Sequence, residues 1–262
     1  MESSNAAMRE NEAQDDVTIW RYMDLPRFIS MLSTRQLRFT KAATYRDDPW
    51  EGFCEVKHLE LPAELTTESP GHALYALASN YSREEYQSAP QRLFVNSWCR
   101  WRESMSMWDL YGSRGSGVAV TSTAARYRTA VKFVIRKEQC ALGRVHYHEN
   151  LESADAIHRD LTKHALQSGR LWRDILELAF HKRGVFEAEN EWRAALYQPP
   201  EQLSSGVDID CDLDELIDEV YVGPRAEPFV HAVVRDITEK YGLRKPVSHS
   251  TLLEGPLRQS KV

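Results

Sequence analysis

The sequence predicts an α/β fold of the α+β kind, a single domain in which helices flank a mixed, largely antiparallel sheet core. Short β-prone runs recur along the chain, helical patterns lie between them, and the second half contains a helical insertion. No internal repeat or low-complexity linker divides the chain. With 262 residues, 42% of them apolar, the chain can bury one substantial core.

The first half of the chain alternates predicted strands with short helices. Asp24 can cap a helix whose first turn contains Pro26, a residue suited to that position. A turn-rich loop follows the second strand, because Asp-Pro and Gly interrupt regular structure. The predicted strands lie at residues 17–22, 37–39, 93–97 and 117–123, the helices at 25–33, within 61–90 and at 104–112, and the loop at 45–52.

The second half contains the helical insertion between two groups of strands. The predicted strands lie at residues 131–135, 143–147, 192–197 and 245–248, and the helices at 156–182, 214–219 and 228–241. Residues 1–16 are polar and lack apolar periodicity, which predicts a disordered arm. We expect residues 17–250 to form the single domain and residues 251–262 a flexible tail.

Composition restricts the classes of partner. The net charge of −6 comes from 33 basic and 39 acidic residues, so no global positive field favours nonspecific binding to nucleic acid. The four cysteines form no C-x-x-C pair, and the N-terminus lacks the apolar segment of a signal peptide. No run approaches the roughly 20 apolar residues that a membrane span needs. These features predict a soluble, cytoplasmic protein with reduced thiols and no membrane partner.

Several short blocks occur in an order that resembles one bacterial family. They are W-R-Y (20–22), L-R-F (37–39), D-D-P-W-E-G (47–52), V-N-S-W (95–98), M-W-x-x-Y (107–111), F-E-x-E-x-E-W-R (186–193) and L-D-E-L-I-D-E-V-Y-V-G-P (213–224). Together they resemble the family catalogued as domain of unknown function 2971. That family name implies no reaction.

A second resemblance is to the ADP-ribosyltransferase fold, in which an Arg on the first strand, a Ser-Thr-Ser strand and a Glu-x-Glu turn follow in order. Here Arg21 precedes Thr121-Ser122-Thr123, and Glu189-Asn190-Glu191 leads into a strand. The middle motif departs from the pattern, and a helical segment lengthens the gap to Glu191. The resemblance implies a mono-ADP-ribosyltransferase-like enzyme with NAD as its substrate, and a bacterial toxin or phage-defence effector as its biological role.

The same resemblance implies roles for individual residues. Arg21 would grip the pyrophosphate or ribose with its planar guanidinium, and Ser122 would support the ribose. Glu191, with Glu189 beside it, would be the catalytic carboxylate that stabilises an oxocarbenium-like ribose as nicotinamide leaves. Aromatic side chains of the cleft would stack on the ligand, and the candidates are Tyr22, Trp108 and Tyr111. A macromolecular acceptor and a cognate inhibitor would be the partners.

A purely structural interpretation fits the same residues. Arg21 would then pair with a carboxylate, Thr121 and Ser122 would end a strand, and Glu189 and Glu191 would belong to a solvated face. The corresponding alternative function is a non-catalytic domain that binds a ligand or a protein partner. Release of nicotinamide from NAD distinguishes the two functions.

The acidic loop at residues 47–52 is a further candidate. Asp47, Asp48 and Glu51 could hold a hard cation, but turn chemistry explains the aspartates better. Because buried carboxylates need a ligand or paired donors, we expect this loop at the rim of the cleft, with Glu51 pointing in and pairing with Arg21.

Other motifs predict no metal or hydrolase site. Asp208-x-Asp210-x-Asp212 resembles a calcium loop, but its sixth position is Leu213 where Gly is required. His146 and His148 share a strand face without a third local ligand for zinc. Ser248 and His249 lack the G-x-S-x-G turn of a hydrolase nucleophile. We therefore expect no metal cofactor.

Overall fold

The computed structural model describes residues 17–53, 84, 86–100, 102–113, 115–131, 139–149, 171–198 and 204–255. The eleven strands within these ranges are β1 Thr18–Met23, β2 Gln36–Lys41, β3 Leu93–Arg100, β4 Val118–Thr123, β5 Cys140–Arg144, β6 His146–His148, β7 His181–Arg183, β8 Glu191–Tyr197, β9 Gly206–Asp210, β10 Val220–Val222 and β11 Val247–His249. The α-helices are α1 Leu25–Thr34, α2 Met105–Tyr111, α3 Ala124–Ala130, α4 Leu171–Leu178, α5 Leu213–Leu216 and α6 Pro228–Lys240. Short 3₁₀ helices span Ala42–Thr44 and Gly184–Glu189.

The opening β1–α1–β2 unit follows its local sequence signals. The Asp24 carboxylate accepts a hydrogen bond from the Arg27 amide and caps α1, and Pro26 lies in the first turn. The helix buries Phe28, Met31 and Leu32 against the sheet and ends at Arg35 in the left-handed conformation. This unit fixes the directions of β1 and β2 within the sheet.

One mixed sheet of nine described strands contains a split beside β3. One edge of β3 pairs along its length with β8, which in turn pairs with β5. The other edge pairs with β1 only at Cys99 and Arg100 and with β2 only at Phe94 and Val95. The β11-β10-β4-β1 strands therefore diverge from the β2-β9 pair, with residues 96–98 of β3 in between.

Strand register assigns the candidate residues to faces of this sheet. Directly paired residues in antiparallel strands share a face. Trp20 pairs with Cys99, and Cys99 pairs with Glu191, so these three side chains lie on one face. Ile19 pairs with Ser122, which places Ser122 on the opposite face, in the main hydrophobic core.

A separate two-stranded ribbon lies beside the end of β8. Its strands, β6 and β7, run parallel and pair His146 with His181, Tyr147 with Lys182, and His148 with Arg183. The 3₁₀ helix Gly184–Glu189 follows β7 directly and leads into β8. This short connection brings the ribbon close to the Glu-x-Glu turn.

The predicted fold class is confirmed, while several element assignments need correction. The predicted long helix does not reach residue 182, since α4 ends at Leu178 and β7 begins at His181. The predicted strand at 143–147 is divided between β5 and β6, whereas α3 and β9 were not predicted. The predictions for residues 1–16, 54–83, 132–138, 150–170 and 256–262 lie outside the described residues.

Across the described ranges, no helix has the length and apolar character needed to cross a membrane.

Candidate functional site

A buried ion cluster forms where β8 begins. Glu191 and Arg193 are two residues apart on this strand and therefore share a face. The Arg193 guanidinium donates from Nε to Oε2 of Glu191 at 2.7 Å and from a terminal nitrogen to Oε1 at 2.9 Å. It also donates to both carboxylate oxygens of Glu51, at 2.5 and 2.9 Å. Since Arg193 is 1% exposed and Glu51 2%, this is a desolvated, bidentate arrangement.

Lys182 on β7 connects this cluster to the second glutamate of the turn. Its ammonium nitrogen lies 2.5 Å from Oε2 of Glu189 and 2.8 Å from Oε1 of Glu191. Between the two glutamates, Asn190 adopts a left-handed conformation with φ of 42°. This conformation ends the 3₁₀ helix, and both carboxylates bind the same cation.

The two glutamates differ in protonation behaviour. Burial would raise the pKa of Glu191, but the charges of Arg193 and Lys182 outweigh burial and hold the pKa well below its usual range. For Glu189, burial and a hydrogen bond with Glu191 outweigh Lys182 and raise the pKa to about 7. The turn thus combines a permanently ionised carboxylate with one that titrates near neutral pH.

The loop containing Asp48 and Glu51 is attached to this cluster, not to Arg21. The Asp48 carboxylate accepts two hydrogen bonds from Arg183 of β7, at 2.8 and 3.1 Å, and one from the Trp50 amide at 3.3 Å. Glu51 pairs with Arg193, so the expected pair between Glu51 and Arg21 is wrong. Turn chemistry and ion pairing together account for the acidic residues Asp48 and Glu51.

Arg21 lies at the split in the sheet. One terminal nitrogen donates to the Ser97 carbonyl at 2.9 Å, within the part of β3 that neither β1 nor β2 pairs with. Among the described residues, no carboxylate lies within ion-pair distance of its guanidinium. Burial lowers the pKa of Arg21, although nearby Tyr127 and Tyr45 oppose this effect. A desolvated cation without an acidic partner favours an anionic ligand.

Tyr45 is the electrostatic neighbour shared by Arg21 and the ion cluster. Burial and the charges of Glu51 and Glu191 raise its pKa to about 12, while Arg193 and Arg21 act in the opposite direction. The charges of both Arg21 and Glu191 therefore act on the phenol. By alternation along β1, Arg21 starts from the face of Ile19 and Ser122, opposite to Glu191, and its guanidinium reaches the Ser97 carbonyl at the split. Arg21 and Glu191 therefore share an electrostatic neighbour but not a face of the sheet.

The predicted aromatic residues divide into one exposed ring and two buried ones. Tyr111 is 40% exposed, and its hydroxyl donates to Oε1 of Glu189 at 3.4 Å. Tyr22 and Trp108 are buried and pack edge to face with ring centroids 5.0 Å apart. Trp108 donates its indole N–H to Glu103 at 2.7 Å. Tyr111 alone of these three is placed to stack on a ligand beside the glutamates.

The predicted role of Ser122 does not agree with its surroundings. Its hydroxyl donates to the Leu216 carbonyl at 2.6 Å, and the side chain is 1% exposed. It also lies on the sheet face opposite to Glu191. The neighbouring Thr123 caps α3 by accepting a hydrogen bond from the Arg126 amide. The Thr-Ser-Thr segment thus has the strand-end role of the structural interpretation.

Sequence reasoning missed Lys182, Arg193 and Tyr45. Arg193 had a usable signal, because opposite charges two apart on a buried strand fall on one face. Lys182 had none, since its segment was assigned to a helix and its partners lie in the 3₁₀ helix and at the start of β8. Within the described ranges, no group of three or more His, Cys, Asp or Glu residues could hold a metal ion.

A family model described as "Protein of unknown function (DUF2971)" matches residues 107–194. The matched segment runs from α2 into β8 and includes Lys182, Glu189 and Glu191. The resemblance to that family, indicated by the short sequence blocks, is confirmed over this segment.

The chain is also similar to a solved structure, Thermus sp. 2.9 DarT in complex with NAD+. The two are 11% identical, with a TM-score of 0.36, and the match covers 89% of this chain and 94% of that chain. No curated protein sequence matches this chain.

Proposed function

We propose that the protein is an ADP-ribosyltransferase-like enzyme that cleaves NAD at the split in its sheet. The observation that carries the proposal is electrostatic: Tyr45 has among its charged neighbours both Glu191 and Arg21, a cation at the split without a described acidic partner. NAD requires this combination, since it presents a diphosphate and develops positive charge on a ribose carbon during cleavage. The order Arg21, then Glu189 and Glu191, matches the sequence resemblance to the ADP-ribosyltransferase fold.

In this proposal Arg21 binds the diphosphate. A guanidinium presents several N–H donors in a planar fork, which suits phosphate oxygens, and one of those donors is already held by the Ser97 carbonyl. The remaining donors are available to the ligand. Tyr111, the exposed ring beside Glu189, would stack on the nicotinamide or the ribose.

The two glutamates have different chemical roles in this proposal. Glu191 stays ionised and supplies negative charge as the bond between ribose and nicotinamide breaks and its electron pair leaves with nicotinamide. Glu189 accepts the proton that the acceptor loses when it attacks the ribose carbon. A base with a pKa of about 7 suits this step, because it is half ionised at neutral pH and can still bind a proton.

A second candidate is a non-catalytic domain that binds an anionic ligand at Arg21. The observation in its favour is the saturation of Glu191, whose carboxylate already accepts hydrogen bonds from Lys182 and twice from Arg193. A carboxylate so fully paired has little charge left for a substrate. In this case NAD or another diphosphate would bind without turnover.

Incubation of the purified protein with NAD, with and without cell lysate, tests the proposal. We expect release of nicotinamide, measured by chromatography. Arg21→Gln should raise the dissociation constant for NAD by roughly 10- to 100-fold, since it removes a charged hydrogen bond of about 1.5–3 kcal/mol. Glu189→Gln and Glu191→Gln should abolish nicotinamide release while NAD binding, measured by calorimetry, persists.

Matched controls come from the same elements. Glu187 lies on the same 3₁₀ helix as Glu189 but is exposed, so Glu187→Gln should retain turnover. Arg38 is an exposed arginine paired with Asp208 on β9, so Arg38→Gln should retain NAD binding. Binding without nicotinamide release would favour the non-catalytic function. Wild-type turnover in Glu189→Gln and Glu191→Gln would refute the assigned carboxylates.

A further inference from the structure

The β6–β7 ribbon presents different chemistry on its two faces. Paired residues of the ribbon share a face and successive residues alternate. Tyr147 and Lys182 form one pair and lie on one face. His146, His148 and His181 lie on the other face, together with Arg183. The histidine cluster and the Tyr147–Lys182 pair thus lie on opposite faces of the same two short strands.

Both side chains on the first face hold the Glu-x-Glu turn. The Tyr147 hydroxyl oxygen accepts a hydrogen bond from the Glu191 amide at 2.9 Å. Lys182 binds the carboxylates of Glu189 and Glu191. A displacement of the ribbon would therefore release the Glu191 backbone and the cation that the two glutamates share.

On the histidine face, one hydrogen bond between imidazoles connects the two strands. Nε2 of His148 lies 2.8 Å from Nδ1 of His181. Such a bond requires one ring nitrogen without a proton, so it tolerates one added proton and is broken by a second. The carboxylate of Glu177, on α4, lies 3.5 Å from Nε2 of His181. Breaking the bond requires a proton on His148 as well as on His181.

The charged surroundings oppose that second proton. The His146 ring stacks on His181 with centroids 5.8 Å apart, and adds positive charge when protonated. Arg183, the register partner of His148, is neutralised by Asp48 from the 47–52 loop. Among the described residues, Glu177 is the acid within ion-pair distance of the imidazole pair. It contacts His181 and not His148.

We propose that the His148–His181 pair is a positioning element that fixes the ribbon while at most one proton is shared, and releases Tyr147 and Lys182 from the glutamates when both rings are protonated. The consequence for catalysis rests on the proposed function, whereas the release itself does not. Activity should then fall on the acid side by a step separate from protonation of Glu189.

The protonation behaviour of His148 agrees with this geometry. Burial, together with the charges of His181 and His146, lowers the pKa of His148 from 6.5. A histidine whose pKa is lowered by folding stabilises the folded state above its ordinary pKa, and this stabilisation is lost as pH falls. The ribbon should therefore be closed at neutral pH and open in mildly acidic solution.

His148→Gln provides the test, because a Gln amide can keep a hydrogen bond to His181 but cannot bind the second proton. In the wild type, two protonations should make nicotinamide release fall by about a hundredfold per pH unit at the acid end. In His148→Gln, the fall should be about tenfold per pH unit, from Glu189 alone. His231→Gln, which removes an imidazole bonded to Val247 away from the ribbon, should keep the wild-type slope.

A second measurement does not depend on turnover. Hydrogen exchange of the Glu191 amide, corrected for the intrinsic pH dependence, should lose protection in wild type as the pH falls below 6.5, the ordinary pKa of histidine, and retain it in His148→Gln. If no nicotinamide is released at any pH, the proposed function fails, and the exchange data still test whether the His148–His181 pair positions the ribbon. Equal protection in both proteins would overturn the positioning role.

If His148→Gln does not fold, histidine NMR of the wild type decides: two separated imidazole titrations support the pair, and two independent, ordinary titrations refute it.

Discussion

Arg193 is the residue on which the ion cluster depends. Its guanidinium neutralises Glu51 and Glu191 at once, and all three side chains are buried. Arg193→Met would leave two desolvated carboxylates with Lys182 as the remaining cation of the described residues, at 2.8 Å from Glu191 and 3.9 Å from Glu51. We expect a loss of about 3–5 kcal/mol in the free energy of unfolding, measured by urea denaturation.

Arg38→Met is the matched control for this loss. Arg38 pairs with Asp208 at 2.7 Å, but both side chains are nearly half exposed. Exposed pairs contribute at most about 1 kcal/mol, so the control should lose little stability. Similar, small losses in both variants would show that the buried cluster does not stabilise the fold.

At the same scale, the sequence predicts residue types better than residue partners. Glu189 and Glu191 stand out because a Glu-x-Glu turn precedes a strand, and Arg21 because it lies on the first strand. The partner of Glu51 could not be predicted, because Arg21 and Arg193 both offer a guanidinium. Only the strand order decides between them, and it brings Arg193 to Glu51.

Among the elements, local signals predicted the helix ends that a capping or chain-breaking residue marks. The α1 helix begins after Asp24 and α2 ends before Gly112, as the sequence predicts. The β7 strand was missed because its three residues form a strand only through pairing with β6. A long-range pairing of this kind leaves no periodicity in a segment so short.

The 3₁₀ helix before β8 depends on a backbone conformation that few residues adopt. Asn190 has φ of 42°, a region that costs a β-branched residue roughly 1–2 kcal/mol. Asn190→Val should therefore lower the melting temperature and separate Glu189 from Lys182, with loss of nicotinamide release. Asn190→Gly, which adopts positive φ freely, should retain turnover. Loss of activity in both variants, with unchanged melting temperatures, would indicate that the Asn side chain and not the backbone matters.

For the whole molecule, the fold class follows from the sequence but the split in the sheet does not. Alternating strands and helices predict a layered α+β domain. The split arises because β1 and β2 pair with different ends of β3, which depends on register between strands more than 50 residues apart. That register leaves the Ser97 carbonyl free to accept the hydrogen bond from Arg21 at the split.

Glu189 makes the stability of the whole molecule depend on pH in a direction opposite to most carboxylates. Its pKa of about 7 in the folded protein exceeds the ordinary 4.5, so folding favours the protonated form and this stabilisation is lost as pH rises through 7. Gln resembles a protonated carboxyl, so Glu189→Gln should match wild type at about pH 4.5 and exceed its unfolding free energy by on the order of 3 kcal/mol at about pH 8. Urea unfolding across this range measures the difference, with Glu187→Gln as the exposed control that should follow wild type. A difference between Glu189→Gln and wild type that stays constant with pH would mean that Glu189 remains ionised throughout, paired with Lys182.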